Sequence, residues 1–403
     1  MTIRKLTSAE IESSIRMSEF AFQFELTDEE RREEVKLTNA DETWVIEENG
    51  EILSKATVLP LHIYMQGQKL AMGGVSGVVT WPEHRRSGLV AKLLKQSLEQ
   101  MKEDGQLVSF LYPFSIPFYR KFGWELFADM ETLTLTRDQL PRREQYDGTV
   151  KRVEKNASEV NSVYQQWAKQ YAGTIVRDEK WWTQSVFKRK KGTLVAYYNQ
   201  QGTSSGYLIY EVKNKKMTVH ELIWLDADAR RGLWHFISNH DSMIDSVTIH
   251  TATHDRLPFL LTDPKVKREV SSYFMARIID VKEFLAIYPF SLQEGEAPII
   301  LHVFDEFCQW NDGIYMIKKQ DGEIDIKFFP SSENVQQDNQ GSACQHPPKK
   351  GIRLSVHCLT ASLFNTQPVD VLYDEEWIKG DIQTLEAFRA SIPKLKPFLY
   401  DFF

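Results

Sequence analysis

Between Val75 and Leu135 the hydrophobic pattern of the chain changes period several times. The β-branched run Val75, Val78, Val79, Thr80 marks a strand, and Leu89, Val90, Leu93, Leu94, Leu98 and Met101 then recur at helical spacing. Leu107 to Pro113 reads as an apolar strand, and Phe127 to Leu135 alternates as another, with a short helix carrying Tyr119 between them. Gly88, preceded by Arg85 and Arg86, separates the first strand from its helix. The predicted order is strand, basic glycine turn, helix, strand, short helix, strand.

Upstream, Thr2 to Leu6 forms a short strand, and Thr7 and Glu10 stand at capping-box spacing ahead of Ile11, Ile15 and the aromatics Phe20, Phe22 and Phe24, read as core. Glu25 and Asp28 read as solvated helix-start carboxylates, with attraction of an amine as the other reading. Trp44 to Tyr64 is two strands joined at Asn49-Gly50, and a second turn at Gln66-Gly67 leads into a strand from Leu70 to Thr80. Successive hairpins that deliver a strand to a helix give a mixed sheet. Arg137 to Arg143 reads as an exit linker.

A second unit begins near Lys151, with strands at Thr193–Asn199, Gly206–Lys213, Met217–Trp224, Ser246–Ala252 and Ser272–Ile279 and a helix from Arg230 to about Met243. Arg230-Arg231-Gly232-Leu233 echoes the earlier basic glycine turn. Chance recurrence and a duplicated fold both account for this echo, and a duplicate would be expected to be inactive toward a cofactor. The Lys188-Arg189-Lys190-Lys191 run reads as a solvated face. A third unit starts near Pro289, with strands at Ile299–Phe304, Tyr315–Ile317 and Ile324–Phe329 around an Asn311-Asp312-Gly313 turn. Ser331 to Lys350 is polar and expected to lack regular structure, Arg353–Thr360 alternates as a strand, and Gly380–Arg389 is helical. Phe398, Leu399, Tyr400, Phe402 and Phe403 are too apolar for a frayed end and predict a docked tail.

The chain's 403 residues suffice for two or three domains, and 49 basic against 56 acidic residues leave a net charge of −7. That balance argues against nucleic acid as the main partner and suits a cationic substrate. The three cysteines Cys308, Cys344 and Cys358 include no Cys-x-x-Cys pair and read as reduced thiols of a cytosolic protein, with no metal site. The N-terminal residues lack the apolar core of a signal peptide, and no run of about 18 apolar residues offers a membrane span.

The basic glycine turn carries the candidate chemistry. The first turn of a helix has unpaired N–H groups and the positive end of the dipole, so it attracts phosphate. Neither Gly-x-x-x-x-Gly-Lys-Ser/Thr nor Gly-x-Gly-x-x-Gly occurs here. Arg85-Arg86-Ser87-Gly88-Leu89-Val90 instead resembles the pyrophosphate loop of GCN5-related N-acetyltransferases, Arg/Gln-x-x-Gly-x-Gly/Ala, with Val90 in place of the last small residue. The Pro82-Glu83 turn and the Phe118-Tyr119-Arg120-Lys121-Phe122-Gly123-Trp124 segment resemble the same family.

Over nearly its whole length the chain resembles the enhanced intracellular survival (Eis) branch of that family. Arg177-Asp178 before Trp181-Trp182, the Met275-Ala276-Arg277-Ile278-Ile279-Asp280-Val281 segment and an ending in Phe carry the wider resemblance. It implies an α+β fold of tandem acetyltransferase domains with mixed sheets, catalytic at 1–150 and degenerate at 151–288, followed by a sterol-carrier-like domain at 289–403. It implies acetyl-CoA as cosubstrate, primary amines of small polycationic molecules such as aminoglycosides or polyamines as acceptors, and a cytoplasmic hexamer.

Residue by residue, the resemblance gives Val78, Val79 and Thr80 to the acetyl-pantetheine portion. Arg85, Arg86, Ser87, Gly88, Leu89, Val90 and Ala91 fall to the pyrophosphate, and Phe114 and Ser115 to a further cofactor contact. It makes Tyr119 the general acid and the C-terminal carboxylate of Phe403 the general base. A terminal carboxylate ordinarily titrates at about 3.3–3.7, and an aromatic setting that desolvates it would raise that value. His84, at the phosphate end of the site, is a poor candidate base. Two other functions are compatible with the sequence: acetylation of protein lysines or N-termini, and carriage of an apolar ligand by the third domain.

Overall fold

A computed structural model describes residues 1–331 and 348–403. The polar stretch expected to be irregular falls mainly on residues 332–347, outside the described residues, as does Cys344.

The N-terminal strands are β1 (Thr2–Lys5), β2 (Thr43–Glu48), β3 (Glu51–Met65), β4 (Gln68–Thr80), β5 (Val108–Leu111) and β6 (Glu125–Thr136). Both expected hairpin turns form: Asn49 and Gly50 lie at φ 54° and 83°, and Gln66 and Gly67 at 47° and 78°. Two successive positive φ values give a twist that matches the flanking strands. Helices α1 (Ile11–Phe22), α2 (Asp28–Leu37), α3 (Leu89–Glu103) and α4 (Ile116–Arg120) complete this unit. The Thr7/Glu10 capping box is present, at a short 3-10 turn that leads into α1.

The central unit adds β7 (Thr149–Val153), β8 (Thr193–Tyr198), β9 (Ser204–Lys213), β10 (Lys216–Trp224), β11 (Ser246–Thr251) and β12 (Lys267–Ile278). All form one 12-stranded sheet in the order β1-β2-β3-β4-β5-β12-β6-β11-β10-β9-β8-β7. The two halves are therefore interleaved: Ala276 on β12 pairs with Phe110 of β5 on one side and Glu125 of β6 on the other. The halves repeat one plan, because β4 runs parallel to β5 as β10 runs parallel to β11, each pair joined by a helix.

The third unit has a five-stranded sheet in the order β15-β14-β13-β16-β17, built from β13 (Ile299–Phe304), β14 (Gly313–Gln320), β15 (Glu323–Pro330), β16 (Ile352–Ser355) and β17 (Lys379–Gly380). It shares a core with the large sheet. Phe110 and Phe127 meet the ring of Phe364 at 6.1 and 5.1 Å, and buried Phe274, Leu359 and Leu301 belong to the same cluster.

The structure corrects several expectations. Phe20, Phe22 and Phe24 are 54%, 53% and 40% exposed, because the apolar stripe of α1 is carried by Ile11, Ile15 and Met17. Alternation from Arg353 stops at Ser355, whose hydroxyl caps a helix over Val356–Leu363 by accepting from the Cys358 N–H at 3.3 Å. The later helix starts at Ile382, set by the Asp381 cap.

Two basic runs are also not what spacing suggests. The helix expected from Arg230 begins earlier, at Ala227, so Arg230-Arg231-Gly232 lies inside it, with Gly232 packed on the Tyr197 ring. The N-terminus of this helix is filled by its own carboxylates, Asp226 accepting from the Ala229 N–H and Asp228 bonding Tyr197 and Arg231. It has no place for a phosphate. Of the Lys188–Lys191 run, Lys190 turns inward to Glu221 and Arg189 lies over the Phe402 ring.

Candidate active site

The basic glycine turn is built as an anion cradle. Pro82–His84 forms a 3-10 turn after β4, then Arg86 (φ 65°) and Gly88 (φ 78°) take left-handed backbone conformations that reverse the chain into α3. A Cβ at Gly88 would meet no atom within 4 Å, so its surface is open to a ligand. The first turn of α3 contains no acidic residue, and Arg85 and Arg86 are exposed beside it. These residues fit a pyrophosphate through backbone N–H groups and two guanidinium charges. Ser87 spends its hydroxyl on the His84 carbonyl, and Arg85 Nε donates to the Thr80 carbonyl at 3.3 Å. Leu89 is buried and roots the helix; Val90 and Ala91 are half-buried.

Beside the cradle the sheet splays. β4 pairs with β5 only from Met72 to Val75, since β5 ends at Leu111, while β4 continues to Thr80. A bulge at Gly77 (φ 55°) bends β4 further: Thr57 faces Ser76 but Lys55 faces Val79, so β4 carries one residue more than β3 there. On the β5 side the backbone at Val78, Val79 and Thr80 consequently has no strand partner among the described residues, as a slot for an extended amide-bearing ligand requires.

Tyr119 and Phe403 approach this splay from opposite faces. Consecutive strand residues point to opposite sides. Val75 packs in one cluster with Tyr119, Val78, Val90 and Ala91, whereas Gly74 faces the Phe403 ring. Tyr119 is 3% exposed, and its ring meets those of Phe114, Phe118 and Trp124 at 5.3, 5.2 and 6.3 Å. Burial raises its phenol well above the ordinary tyrosine range, so the group stays protonated at neutral pH. Phe114 is 69% exposed, and Ser115 is the cap residue of α4 without a side-chain cap bond. Phe403 is 8% exposed, wedged among Gly74, Leu61, Phe274 and Trp181.

Comparison with known proteins matches each unit separately. Residues 2–127 and 173–278 each match an acetyltransferase (GNAT) domain, and residues 281–400 match a sterol carrier protein domain. The N-acetyltransferase Eis of Mycobacterium tuberculosis is 25% identical over 306 residues, covering 72% of this chain and 74% of that protein. The chain thus carries two GNAT acetyltransferase domains and is similar to the Eis N-acetyltransferases.

An N-acetyltransferase of Streptomyces griseus is 28% identical over 272 residues, a match spanning 60% of this chain and 64% of the relative's length. Two solved structures share the fold from end to end. A probable N-acyltransferase of Enterococcus faecalis has a TM-score of 0.88 at 24% identity, covering 100% of this chain and 99% of that one. Eis1 of Mycobacterium abscessus has a TM-score of 0.79 at 18% identity, covering 100% of both.

In this Eis-like chain the tail is held by charges that the sequence did not single out as partners. Arg177, buried between the Tyr164 and Trp182 rings at 3.8 and 4.4 Å, donates to Asp401 at 3.0 Å and to Glu221. Trp181 Nε1 donates to Asp401 at 2.8 Å, and Lys190 binds both Glu221 and the Tyr400 carbonyl at 3.0 Å. Two cations and two carboxylates neutralise each other, and Tyr207 donates to Glu221 at 2.6 Å. Desolvation alone would push the Glu221 carboxyl up, but Arg177 and Lys190 outweigh it and hold it at about 2.

The same tail reaches the second copy of the acetyltransferase plan. The Tyr400 hydroxyl donates to the His250 carbonyl at 3.2 Å, on β11 next to β10, so the chain itself covers ground there that corresponds to the open splay of the first copy. No periodicity reveals these partners, because Arg177 and Asp401 lie 224 residues apart.

Proposed function

We propose that this protein is an acetyl-CoA-dependent N-acetyltransferase acting on primary amines of small polycationic molecules, aminoglycoside-like or polyamine. The observation that supports the reading is the placement of Tyr119 in the cluster of Val75 and of the Phe403 ring on Gly74, at the end of the β4–β5 pairing and next to an open anion cradle.

Acetyl-CoA supplies an activated acetyl group as a thioester. Arg85, Arg86 and the amides of Ser87 to Ala91 hold the pyrophosphate, and the unpaired edge at Val78, Val79 and Thr80 orients the chain that leads to the thioester. The terminal carboxylate of Phe403 takes the proton of the acceptor amine, and Tyr119 gives its phenolic proton to the departing thiolate. The Tyr119 and Phe403 side chains are both set among apolar neighbours. A homo-oligomeric assembly belongs to the same reading and is checked by light scattering.

The test is thiol release from acetyl-CoA with polyamines, aminoglycosides and lysine peptides, with transferred acetyl groups counted by mass. Release with the small amines and little with peptides supports the reading. Preference for peptides overturns the acceptor class, and no release with any amine overturns acetyl transfer. A chain extended by two glycines after Phe403 should stay folded and lose about 100-fold in turnover, since its carboxylate is displaced; unchanged turnover removes Phe403 as the base.

A further inference from the structure

The short helix that carries Tyr119 has one turn of its own, and its downstream end is held from outside. Arg120 closes α4, and its carbonyl accepts a hydrogen bond from Nε2 of His357, a residue of the third unit, at 2.6 Å. The next turn is gripped as well. Arg277, on β12, donates to the Phe122 carbonyl and to Asp305 of the third unit, with both side chains of that ion pair at most 1% exposed. Gly123 (φ 91°) admits the guanidinium, since a Cβ there would overlap Arg277 Nη1. Asp305 is itself oriented by Asn311 Nδ2 and the Cys308 N–H, each at 2.9 Å.

The same loop of the third unit touches the cofactor helix. Lys95, on α3, donates to the Phe307 carbonyl at 2.9 Å and lies 4.6 Å over the Trp310 ring, while the Phe307 ring packs on Phe122 at 4.9 Å. Residues 305–311 therefore bridge the anion cradle's helix and the turn that follows the phenol, the two parts whose spacing must suit one ligand.

We infer that the third unit is a positioning element of the transfer site, and that His357, by holding the Arg120 carbonyl, fixes the placement of the Tyr119 phenol. This rests on the reading of Tyr119 as proton donor. His357 touches no reacting atom. A shift of about 1 Å in a donor group is enough to cost a large factor in rate while binding is untouched.

The test compares His357→Leu, which removes the donor, with His357→Gln, whose amide nitrogen reaches the place of Nε2. The wild-type chain and Tyr119→Phe run in parallel, with turnover measured at saturating amine and acetyl-CoA affinity by titration calorimetry. H357L should lose about fivefold or more in turnover with unchanged acetyl-CoA affinity, H357Q should recover most of that loss, and H357L should add little further loss on top of Tyr119→Phe. The inference is overturned if H357L keeps wild-type turnover, if H357Q falls as far as H357L, or if acetyl-CoA affinity falls together with turnover. A wild-type chain that releases no thiol instead overturns the reading on which the inference rests. Thermal melts of both variants identify any loss that comes from unfolding, and Lys95→Met, which loosens the same bridge from the α3 side, then serves as the second variant with the same expected split.

Discussion

The ring of Phe403 lies on Gly74 so closely that a Cβ on residue 74 would sit 2.9 Å from ring carbon Cε2 and 3.1 Å from Leu61 Cδ1. Glycine is required there by approach rather than by backbone angle, since Gly74 does not lie at positive φ. Gly74→Ala should push the ring away from β4 and move the terminal carboxylate with it. Turnover is expected to fall about tenfold or more, with a stability cost of about 1–3 kcal/mol for overpacking. Steady-state rates and urea melts on the one variant check both, and wild-type turnover in G74A would separate the tail's packing from the chemistry.

Acid should release the tail. Glu221 sits at about 2 in the folded chain against an ordinary carboxyl value of 4.5. Its pairing with Arg177 and Lys190 therefore stabilises the fold fully above pH 4.5, and this contribution is lost as pH falls from 4.5 toward 2. Glu221→Gln should cost about 3–5 kcal/mol at neutral pH by leaving buried cations short of a partner. Its stability should also fall less steeply than that of the wild type across that acid window. Parallel melts from pH 6 downward make the comparison.

Lys55 should act at alkaline pH, and there the charge opposes folding instead of supporting it. It is 5% exposed, and its ammonium donates to the Ser14 carbonyl and to the Ser14 and Ser18 hydroxyls, with no carboxylate partner among the described residues. Burial lowers it to about 8 from an ordinary 10.5. The charge is thus a penalty in the folded chain below pH 8, relieved as pH rises from 8 toward 10.5, where the unfolded chain binds more protons. Over that window the wild type should gain up to about 3 kcal/mol relative to Lys55→Met. A flat difference between the two stability curves would mean that Lys55 is not titrating there.

The basic glycine turn was legible in the sequence and the tail's anchoring was not, for a physical reason. Arg85 to Ala91 is a local device: a turn and one helix end, set by neighbours in the chain, so spacing alone locates it. The hairpins at Asn49-Gly50 and Gln66-Gly67 are local in the same way. The insertion of β12 between β5 and β6 is not, since residues near 276 pair with residues near 110 and 125, and an apolar strand carries no mark of its neighbours. Lys190 reads as a solvated charge because charge runs usually are, and only its neighbours in space, Glu221 and Tyr400, show otherwise. Phe20 and Phe22 misled in reverse, as aromatic side chains read as core that lie on the surface of the α1 end, Phe20 against Trp81 at 5.1 Å. The resemblance offers Tyr119 and Phe403 as a pair; in the fold Tyr119 lies in the cluster of Val75 and the Phe403 ring lies on the neighbouring Gly74.

That pairing is tested most directly by Tyr119→Phe, measured at saturating amine and acetyl-CoA alongside calorimetric binding of acetyl-CoA. The phenol makes no hydrogen bond to other described residues, so the substitution removes one oxygen from a packed ring and should leave the fold and cofactor affinity as they are. Turnover should drop about 100-fold. Turnover equal to that of the wild type would contradict the assignment and return Tyr119 to the hydrophobic core.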